Sequence, residues 1–239
     1  MLRRRMLPVN PHILRRYRKR LRRQASRKIP CTTILLLLNY IGVKMLLAFK
    51  NSLSPTLKRR VKLFMLTFRQ SSIHFLTRHP IKFYNILHLV FVCQGNICRS
   101  AFAEYYCIPL ALSAELKIES CGLNVGRSVP SPPDALIVAG EFGVNLSENR
   151  SKGLASCDLE RADLVVAMEY DHLKELIQKF PHKKKQIVLL RDFAPWPESL
   201  ACNIHDPYGW GLEEFRVCFR AMQRALDGLA RQLKQGHRG

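Results

Sequence analysis

Cys93 and Arg99 are the two residues of this sequence whose types and separation could together perform a reaction. They lie six positions apart and bracket the loop in the run CQGNICRS, residues 93–100. Backbone N–H groups of such a loop can turn inward around an anion, and the planar guanidinium adds a two-pronged donor for phosphate oxygens. A helix beginning at Arg99 or Ser100 would point its positive end into the same hollow and favour the thiolate form of Cys93. The pattern predicts a thiol nucleophile acting on phosphate.

The spacing alone is not specific, because a cysteine and an arginine recur at the same separation from Cys121 and from Cys218. Prolines at positions 130, 132 and 133 follow the repeat at Cys121, so no helix is expected to begin directly behind its arginine. Cys218 falls inside an apolar pattern of helical period, where a cysteine is most simply a small buried hydrophobe. Only Cys93 is predicted to lie in strand–loop–helix order.

Strands and helices alternate in the part of the chain that must position this loop. Apolar stretches predict buried strands at residues 86–92, 116–120, 164–168 and 187–190. Helical patterns cover residues 101–112, 133–142, 170–180 and 212–233. The alternation predicts an α/β fold, a single doubly wound domain with a four-stranded parallel sheet flanked by helices. Ligands of such sheets lie beyond the carboxyl ends of the strands, which is where the residues after Val92 are expected.

A resemblance to a known family covers nearly all of this predicted domain, roughly residues 84–235. The run VFVCQGNICRSAFAEYY closely resembles the phosphate loop of the low-molecular-weight protein tyrosine phosphatases. The resemblance continues through SCG at 120–122, PPD at 132–134, LS at 146–147 with Arg150, DLVVAM at 163–168, DFAP at 192–195 and DPYG at 206–209. The loop combined with the late Asp-Pro-Tyr is highly specific for that family.

The resemblance implies a complete mechanism without a metal or a cofactor. The thiolate of Cys93 would attack phosphorus in line, while Arg99 and the loop amides of residues 94–99 would hold the phosphate oxygens. Asp206 would protonate the leaving phenol oxygen and then deprotonate the water that hydrolyses the phosphocysteine. The implied substrate is a phosphotyrosine protein.

The resemblance also assigns supporting roles around these three residues. Ser100 would hydrogen-bond the thiolate, Asn96 would brace the loop and Tyr208 would form a wall of the crevice. Cys98 is a candidate redox-regulatory thiol, since a cysteine at that position in the family can form a reversible disulfide with the nucleophile; the alternative is that it simply packs. The predicted phosphate- or substrate-binding residues are Gln94, Gly95, Asn96, Ile97, Cys98, Ser100 and Tyr208.

Three positions depart from the family pattern. Ala101 stands where proline is usual, which costs little in a first helical turn. Residues 123–131 contain no aromatic side chain, although many family members place a second wall of the crevice there. Gly209 replaces a second tyrosine that often follows the Asp-Pro-Tyr motif, and Trp210 is a partial substitute. These departures bear on substrate preference rather than on the reaction.

Other activities of the same fold make different demands on the sequence. A protein-arginine phosphatase typically carries threonine at the position of Ile97 and phenylalanine at that of Tyr208, so both residues favour tyrosine. A thiol-linked arsenate reductase needs two cysteines just after the third strand, yet the next cysteine is Cys202. A module that only binds phosphotyrosine would have lost the nucleophile or the acid, and both are present.

Charge divides the chain into two parts, predicted as a basic extension, residues 1–83, and a phosphatase-like domain, residues 84–239. The chain has 239 residues and a formal net charge of +21, and its first 90 residues hold 21 Lys and Arg with no acidic residue. The remaining residues balance 18 basic against 18 acidic groups. The 8 cysteines form no CxxC pair of the kind that marks a zinc site, so we expect reduced thiols and a cytoplasmic compartment.

The extension is predicted to bind an anionic membrane surface at the cytoplasmic face. Its apolar stretch at residues 34–49 is too short for a span and contains Lys44. Residues 57–78 combine helical apolar spacing with basic groups, which is typical of a helix lying in a membrane interface. The alternatives are a nucleic-acid patch, which no binding motif favours, an organelle transit peptide, or a leader without a role.

Overall fold

The structure is a computed structural model that describes residues 55–79, 81, 83, 85–110 and 115–236. The apolar stretch predicted at residues 34–49 lies outside the described residues, as does most of the basic extension. A compact unit runs from Ser54 to Gly239. Within the described part of the chain, none of the helices combines the length and apolar character that a membrane span needs.

Four parallel strands form the sheet, in the order β2-β1-β3-β4. They are β1 (His88–Cys93), β2 (Lys117–Gly122), β3 (Leu164–Ala167) and β4 (Ile187–Leu189). Every residue of the central strand β1 is buried, as expected for an apolar run that is covered on both faces. The predicted α/β fold with a four-stranded parallel sheet is therefore confirmed.

Five α-helices accompany the sheet in the described part of the chain, and most of them begin and end close to the predicted residues. They are α1 (Pro55–Thr77), α2 (Arg99–Cys107), α3 (Pro133–Glu141), α4 (Tyr170–Lys179) and α5 (Leu212–Gly236). Helix α2 ends sooner than predicted and continues as a short 3-10 turn, Ile108–Leu110. Pro109 explains the early end, because it has no backbone N–H to continue the helical hydrogen bonds and its ring crowds the preceding turn.

The core has one part on each face of the sheet. On one face α2 packs against α5, with the ring of Phe102 stacked on that of Phe219 at a centroid distance of 4.1 Å. On the other face, Leu173 and Leu176 of α4 pack with residues of β3 and β4. Both layers position the carboxyl ends of β1 and β3 at one edge of the domain.

Helix α1 contacts this domain through polar side chains near its carboxyl end. Gln70, Ser72 and His74 are buried. The Nε2 atom of His74 lies 2.8 Å from a carboxylate oxygen of Asp192. The division predicted at residue 84 from charge therefore differs from the boundary of the compact unit, because α1, although basic, is joined to the domain by such contacts.

Candidate active site

Cys93 ends β1, and the loop that follows it leads directly into α2 at Arg99. Cys93 is only 3% exposed. The hydroxyl oxygen of Ser100 lies 3.0 Å from its sulfur, and the backbone N–H of Asn96 donates to the same sulfur at 3.3 Å. The positive end of α2 and these contacts together stabilise a negatively charged sulfur.

Asn96 holds the loop in shape from its centre. Its backbone is left-handed, with φ of 55°, and its side chain is fully buried. The side-chain amide donates to the hydroxyls of Ser100 at 2.9 Å and Ser120 at 2.7 Å, and its oxygen accepts from Lys152 N at 2.9 Å. The Asn96 carbonyl accepts from the amide of Asn149 at 3.2 Å. The predicted bracing residue therefore connects the loop to β2 and to residues 149–152.

The end of β2 lies directly against the beginning of the loop. Leu123 N donates to the Cys93 carbonyl at 2.9 Å, and Asn124 N donates to the Gln94 carbonyl at 2.9 Å. This close approach requires a residue without a side chain, since a Cβ on Gly122 would lie 2.9 Å from the Gln94 oxygen. Glycine at the end of β2 thus permits the loop to be fixed by backbone hydrogen bonds.

Arg99 is 2% exposed and is held by three acceptors around its guanidinium. Nη1 donates to the carboxylate of Glu169 and to the carbonyl of Ile204, the latter at 2.9 Å, while Nη2 lies 2.6 Å from Asp206 Oδ2. Burial on its own lowers the pKa of Arg99, but the neighbouring Cys93, Asp206 and Glu169 outweigh it and raise that pKa above its ordinary value. The guanidinium is a permanent cation aimed at the site.

Asp206 belongs to residues 202–208, which we call the acid segment. Its side chain is 43% exposed, and its Oδ1 accepts from the backbone N of Tyr208 at 3.3 Å. The segment is fastened to the sheet where Ile204 N donates to the Met168 carbonyl at 2.9 Å, just beyond β3. The fold thus brings Asp206 to Arg99 from 107 positions away in sequence.

A cleft opens beside the loop, with walls from three parts of the chain and from Ser151. Gly95 and Ile97 line it from the loop, Tyr208 from the acid segment, and residues 124–133 from the connection that follows β2. That connection presents Val125 and Val129 rather than an aromatic ring. Tyr208 is 59% exposed, as suits a residue at the rim of a crevice.

The remaining loop cysteine, Cys98, is buried and unbridged. Burial raises the pKa of its thiol well above the ordinary range, and the charges of Asp206 and Cys93 raise it further. Its redox role stays a prediction. The two cysteines that repeat the spacing are structural: Cys121 is buried within β2, and Cys218 is buried in α5, where burial raises its pKa to about 12.

Three residues of the site were not found by sequence reasoning. Glu169 binds Arg99, and its place directly after Met168 at the end of β3 was a usable signal, because ligand-facing groups follow the strands of such sheets. Ser120 and Asn149 bind Asn96 from 24 and 53 positions away. Ser120 stands in the SCG run that carries the resemblance but was given no role, and nothing local in the sequence marks Asn149.

Comparison with known proteins agrees with this geometry. The sequence model described as low molecular weight phosphotyrosine protein phosphatase matches residues 88–238. The low molecular weight protein-tyrosine-phosphatase Wzb of Escherichia coli (strain K12) is 32% identical over 146 residues, which cover 61% of this chain and 95% of Wzb. A protein-arginine-phosphatase of Bacillus subtilis (strain 168) is 25% identical over 154 residues, covering 64% of this chain and 100% of that protein.

A solved structure gives the same picture. The crystal structure of a low molecular weight protein tyrosine phosphatase from T. tengcongensis superimposes with a TM-score of 0.55 at 30% sequence identity. The match covers 62% of this chain and 99% of that one. The family match begins at residue 88, so α1 precedes it.

Proposed function

Since this chain belongs to the low molecular weight phosphotyrosine protein phosphatase family, we propose that it hydrolyses phosphotyrosine in proteins through a phosphocysteine on Cys93. The observation that carries the proposal is the meeting of three groups at the carboxyl ends of the strands. Cys93 and Arg99 bracket one buried loop, and Asp206 lies 2.6 Å from the Arg99 guanidinium. A phosphate group bound by Arg99 therefore has a nucleophile below it and a proton donor beside it.

The first chemical step transfers the phosphoryl group to sulfur. The Cys93 thiolate forms the S–P bond as the bond between phosphorus and the tyrosine oxygen breaks. Asp206 gives its proton to that departing oxygen, so tyrosine leaves as a neutral phenol. Arg99 and the loop N–H groups hold the oxygens on phosphorus, where negative charge is concentrated during transfer.

The second step returns the thiolate and releases phosphate. Asp206, now a carboxylate, takes a proton from a water molecule as the water oxygen attacks phosphorus. The S–P bond breaks, its electrons return to Cys93, and inorganic phosphate leaves. Ser100, 3.0 Å from the sulfur, supports the thiolate as leaving group. All proton transfers are therefore carried by Asp206 and water.

Ile97 and Tyr208 favour phosphotyrosine over phosphoarginine. Both side chains line the cleft beside the loop, and the arginine phosphatases resembled in sequence typically carry threonine and phenylalanine there. Arsenate reduction is disfavoured because the sequence has no cysteine between residues 169 and 201. A purely binding role is disfavoured because Cys93, Arg99 and Asp206 are all present.

The test is turnover of three substrates by the full-length protein under reducing conditions with a metal chelator. An aryl phosphate, a phosphotyrosine peptide and a phosphoarginine peptide are compared, with Cys93→Ser as the matched control. We expect hydrolysis of the first two substrates and none by the variant, because serine supplies no thiolate. Preference for phosphoarginine would contradict the tyrosine assignment, and no turnover of any substrate would contradict phosphatase activity.

We also propose a cytoplasmic location with peripheral attachment to an anionic membrane through the basic extension. Support comes from the charge of the first 90 residues, 21 basic groups without an acidic one. It also comes from an exposed apolar row on α1, where Leu66 is 48%, Ile73 37% and Leu76 42% exposed. Apolar side chains next to basic groups suit the boundary between lipid headgroups and acyl chains.

Flotation with vesicles tests the attachment. The full-length protein is compared with a chain that begins at Ser54, which retains the compact unit, using anionic and neutral vesicles of otherwise equal composition. We expect the full-length protein to float with anionic vesicles only, and the shortened chain to float less. Equal flotation of the two chains would rule out residues 1–53 and leave α1 as the attachment, whereas full-length protein that fails to float with anionic vesicles would contradict the proposal.

A further inference from the structure

Helix α1 is hydrogen-bonded to two neighbouring residues at the beginning of the acid segment. The side-chain amide of Asn203 donates to Gln70 Oε1 at 3.0 Å, and Cys202 N donates to the Ser71 hydroxyl at 3.1 Å. Gln70 is 9% exposed, so this contact is shielded from water. A hydrogen bond in such surroundings fixes its partners more firmly than one on the open surface.

Asn203 connects this contact to the site. Its Oδ1 accepts from Tyr170 N at 2.8 Å, at the beginning of α4. The next residue, Ile204, is held at both backbone groups: its N–H donates to the Met168 carbonyl, and its carbonyl accepts from Arg99 Nη1 at 2.9 Å. Helix α1 is therefore connected to Arg99 through the side chain of Asn203 and the backbone of Ile204.

We propose that Gln70 and Ser71 are positioning residues for the general acid Asp206. By fixing residues 202–203, α1 sets where the chain leaves the sheet and hence where the carboxylate stands relative to Arg99. Asp206 lies three positions after Asn203, so the anchor at residues 202–203 fixes the backbone from which its carboxylate reaches Arg99 at 2.6 Å. The inference rests on the proposed function, in which Asp206 donates the proton.

A second contact between α1 and the domain allows the positioning role of Gln70 and Ser71 to be tested separately from the docking of the helix. His74, one turn further along α1, lies 2.8 Å from Asp192, which belongs to a different loop. Loss of the Gln70 and Ser71 hydrogen bonds therefore leaves α1 attached through His74, while residues 202–203 lose their contacts with α1 and Asn203 keeps only its contact with Tyr170. The expected defect is in proton donation rather than in folding.

The dependence of kcat/KM on the acidity of the leaving group distinguishes the two roles, because a merely structural role would change kcat/KM equally on all substrates. Full-length Gln70→Ala/Ser71→Ala is assayed on phenyl phosphate and on 4-nitrophenyl phosphate, which differ mainly in how much the leaving oxygen needs a proton. We expect kcat/KM to fall about tenfold on phenyl phosphate and less than about twofold on 4-nitrophenyl phosphate, because proton donation matters most for the poorer leaving group. The matched control is Arg69→Ala/Ile73→Ala, two exposed positions on the same helix; it should match wild type on both substrates.

Two further variants keep the test decisive. Gln70→Met removes one side of the contact at nearly constant volume, and it replaces the double variant if that protein melts early. Asp206→Ala must show the same leaving-group dependence, more strongly. If Asp206→Ala shows it and the α1 variants lose activity equally on both substrates, or not at all, the inference about α1 is wrong. If Asp206→Ala itself shows no such dependence, the result contradicts the assignment of Asp206 as the general acid.

Discussion

Asn96 holds the shape of the loop of residues 93–99 through both its backbone and its side chain. It combines a left-handed backbone with a side chain that makes hydrogen bonds at 2.7 to 2.9 Å to three partners. Asparagine is one of the few residues other than glycine that adopts this conformation readily. One residue type thus satisfies a backbone requirement and a bonding requirement together.

Two substitutions at this position separate those requirements. Asn96→Gly keeps the left-handed backbone but loses the side-chain hydrogen bonds, whereas Asn96→Ala loses the bonds and adds backbone strain. We expect the alanine variant to be less stable than the glycine variant by about 1 kcal/mol, and both to be less stable than wild type. Urea unfolding measures the difference. A glycine variant as stable as wild type would mean that the hydrogen bonds of Asn96 contribute little.

His172 predicts a specific sensitivity to acid. It is buried beside Glu169 and Arg99, and its Nδ1 has no hydrogen-bond partner among the residues that the structure describes. Burial lowers the pKa of His172, so the unfolded chain takes up the proton first. This contribution to stability is therefore fully present above about pH 6.5, and it is lost as the pH falls from there through the lower pKa of the folded state.

A substitution isolates this contribution. His172→Leu removes the titrating ring, and we expect its free energy of unfolding to fall less steeply than that of wild type between about pH 7 and about pH 5. Urea denaturation at a series of pH values gives both slopes. Parallel slopes would show that other groups account for the acid sensitivity.

At the level of elements, the junction between β2 and the loop is the tightest contact of the site. A Cβ on Gly122 would lie 2.7 Å from Val125 Cγ2 and 2.9 Å from two backbone atoms of residues 94 and 95. Backbone cannot give way as the end of a flexible side chain can. The end of β2 must therefore remain glycine for the loop to stand where it does.

Gly122→Ala should consequently move the loop. We expect a loss of about 1–3 kcal/mol in stability, as for an overpacked core, together with a lower kcat/KM on an aryl phosphate. Gly126→Ala is the control for stability, because its added methyl would meet nothing within 4 Å. Equal unfolding midpoints for the two variants would contradict the close approach.

Helix α5 offers a comparable test away from the site. A Cβ on Gly228 would lie 1.9 Å from the carbonyl oxygen of Phe193, so α5 and the turn at Phe193 are in contact through backbone. Gly228→Ala should destabilise the protein by about 1–3 kcal/mol. In α3, Gly140→Ala meets nothing within 4 Å and should gain up to about 1 kcal/mol from better helix propensity. An increase in the stability of Gly228→Ala as well as of Gly140→Ala would contradict the backbone contact between α5 and Phe193.

The elements themselves follow from the sequence, but the docking of α1 does not. Strands and helices are encoded by local periodicity, so their order and type could be predicted within a few residues. The contacts of Gln70 and Ser71 join positions more than 130 residues apart, and no local pattern encodes such pairs. The same limit applies at the site: Cys93 and Arg99 share one loop and were predicted, whereas Ser120 and Asn149 were not.

For the whole molecule, the division of charge is the dominant electrostatic feature. Residues 1–90 hold 21 basic groups and the remainder is neutral, so attraction to an anionic surface is concentrated at one end of the sequence. We expect flotation with anionic vesicles to decline steeply between about 0.05 M and about 0.5 M salt, since exposed charges are screened over a shorter distance as salt rises. Binding independent of salt would indicate attachment by apolar contacts alone.

The burial of Cys93 makes the length of the phosphorylated side chain a criterion for the substrate. Cys93 is only 3% exposed, so a phosphate that reaches its sulfur has to be carried away from the main chain of the protein that bears it. Phosphoserine and phosphothreonine carry their phosphate close to the main chain, whereas the ring of tyrosine is a rigid extension. We therefore expect side-chain length to favour phosphotyrosine, with Ile97 and Tyr208 of the cleft contributing to the selection.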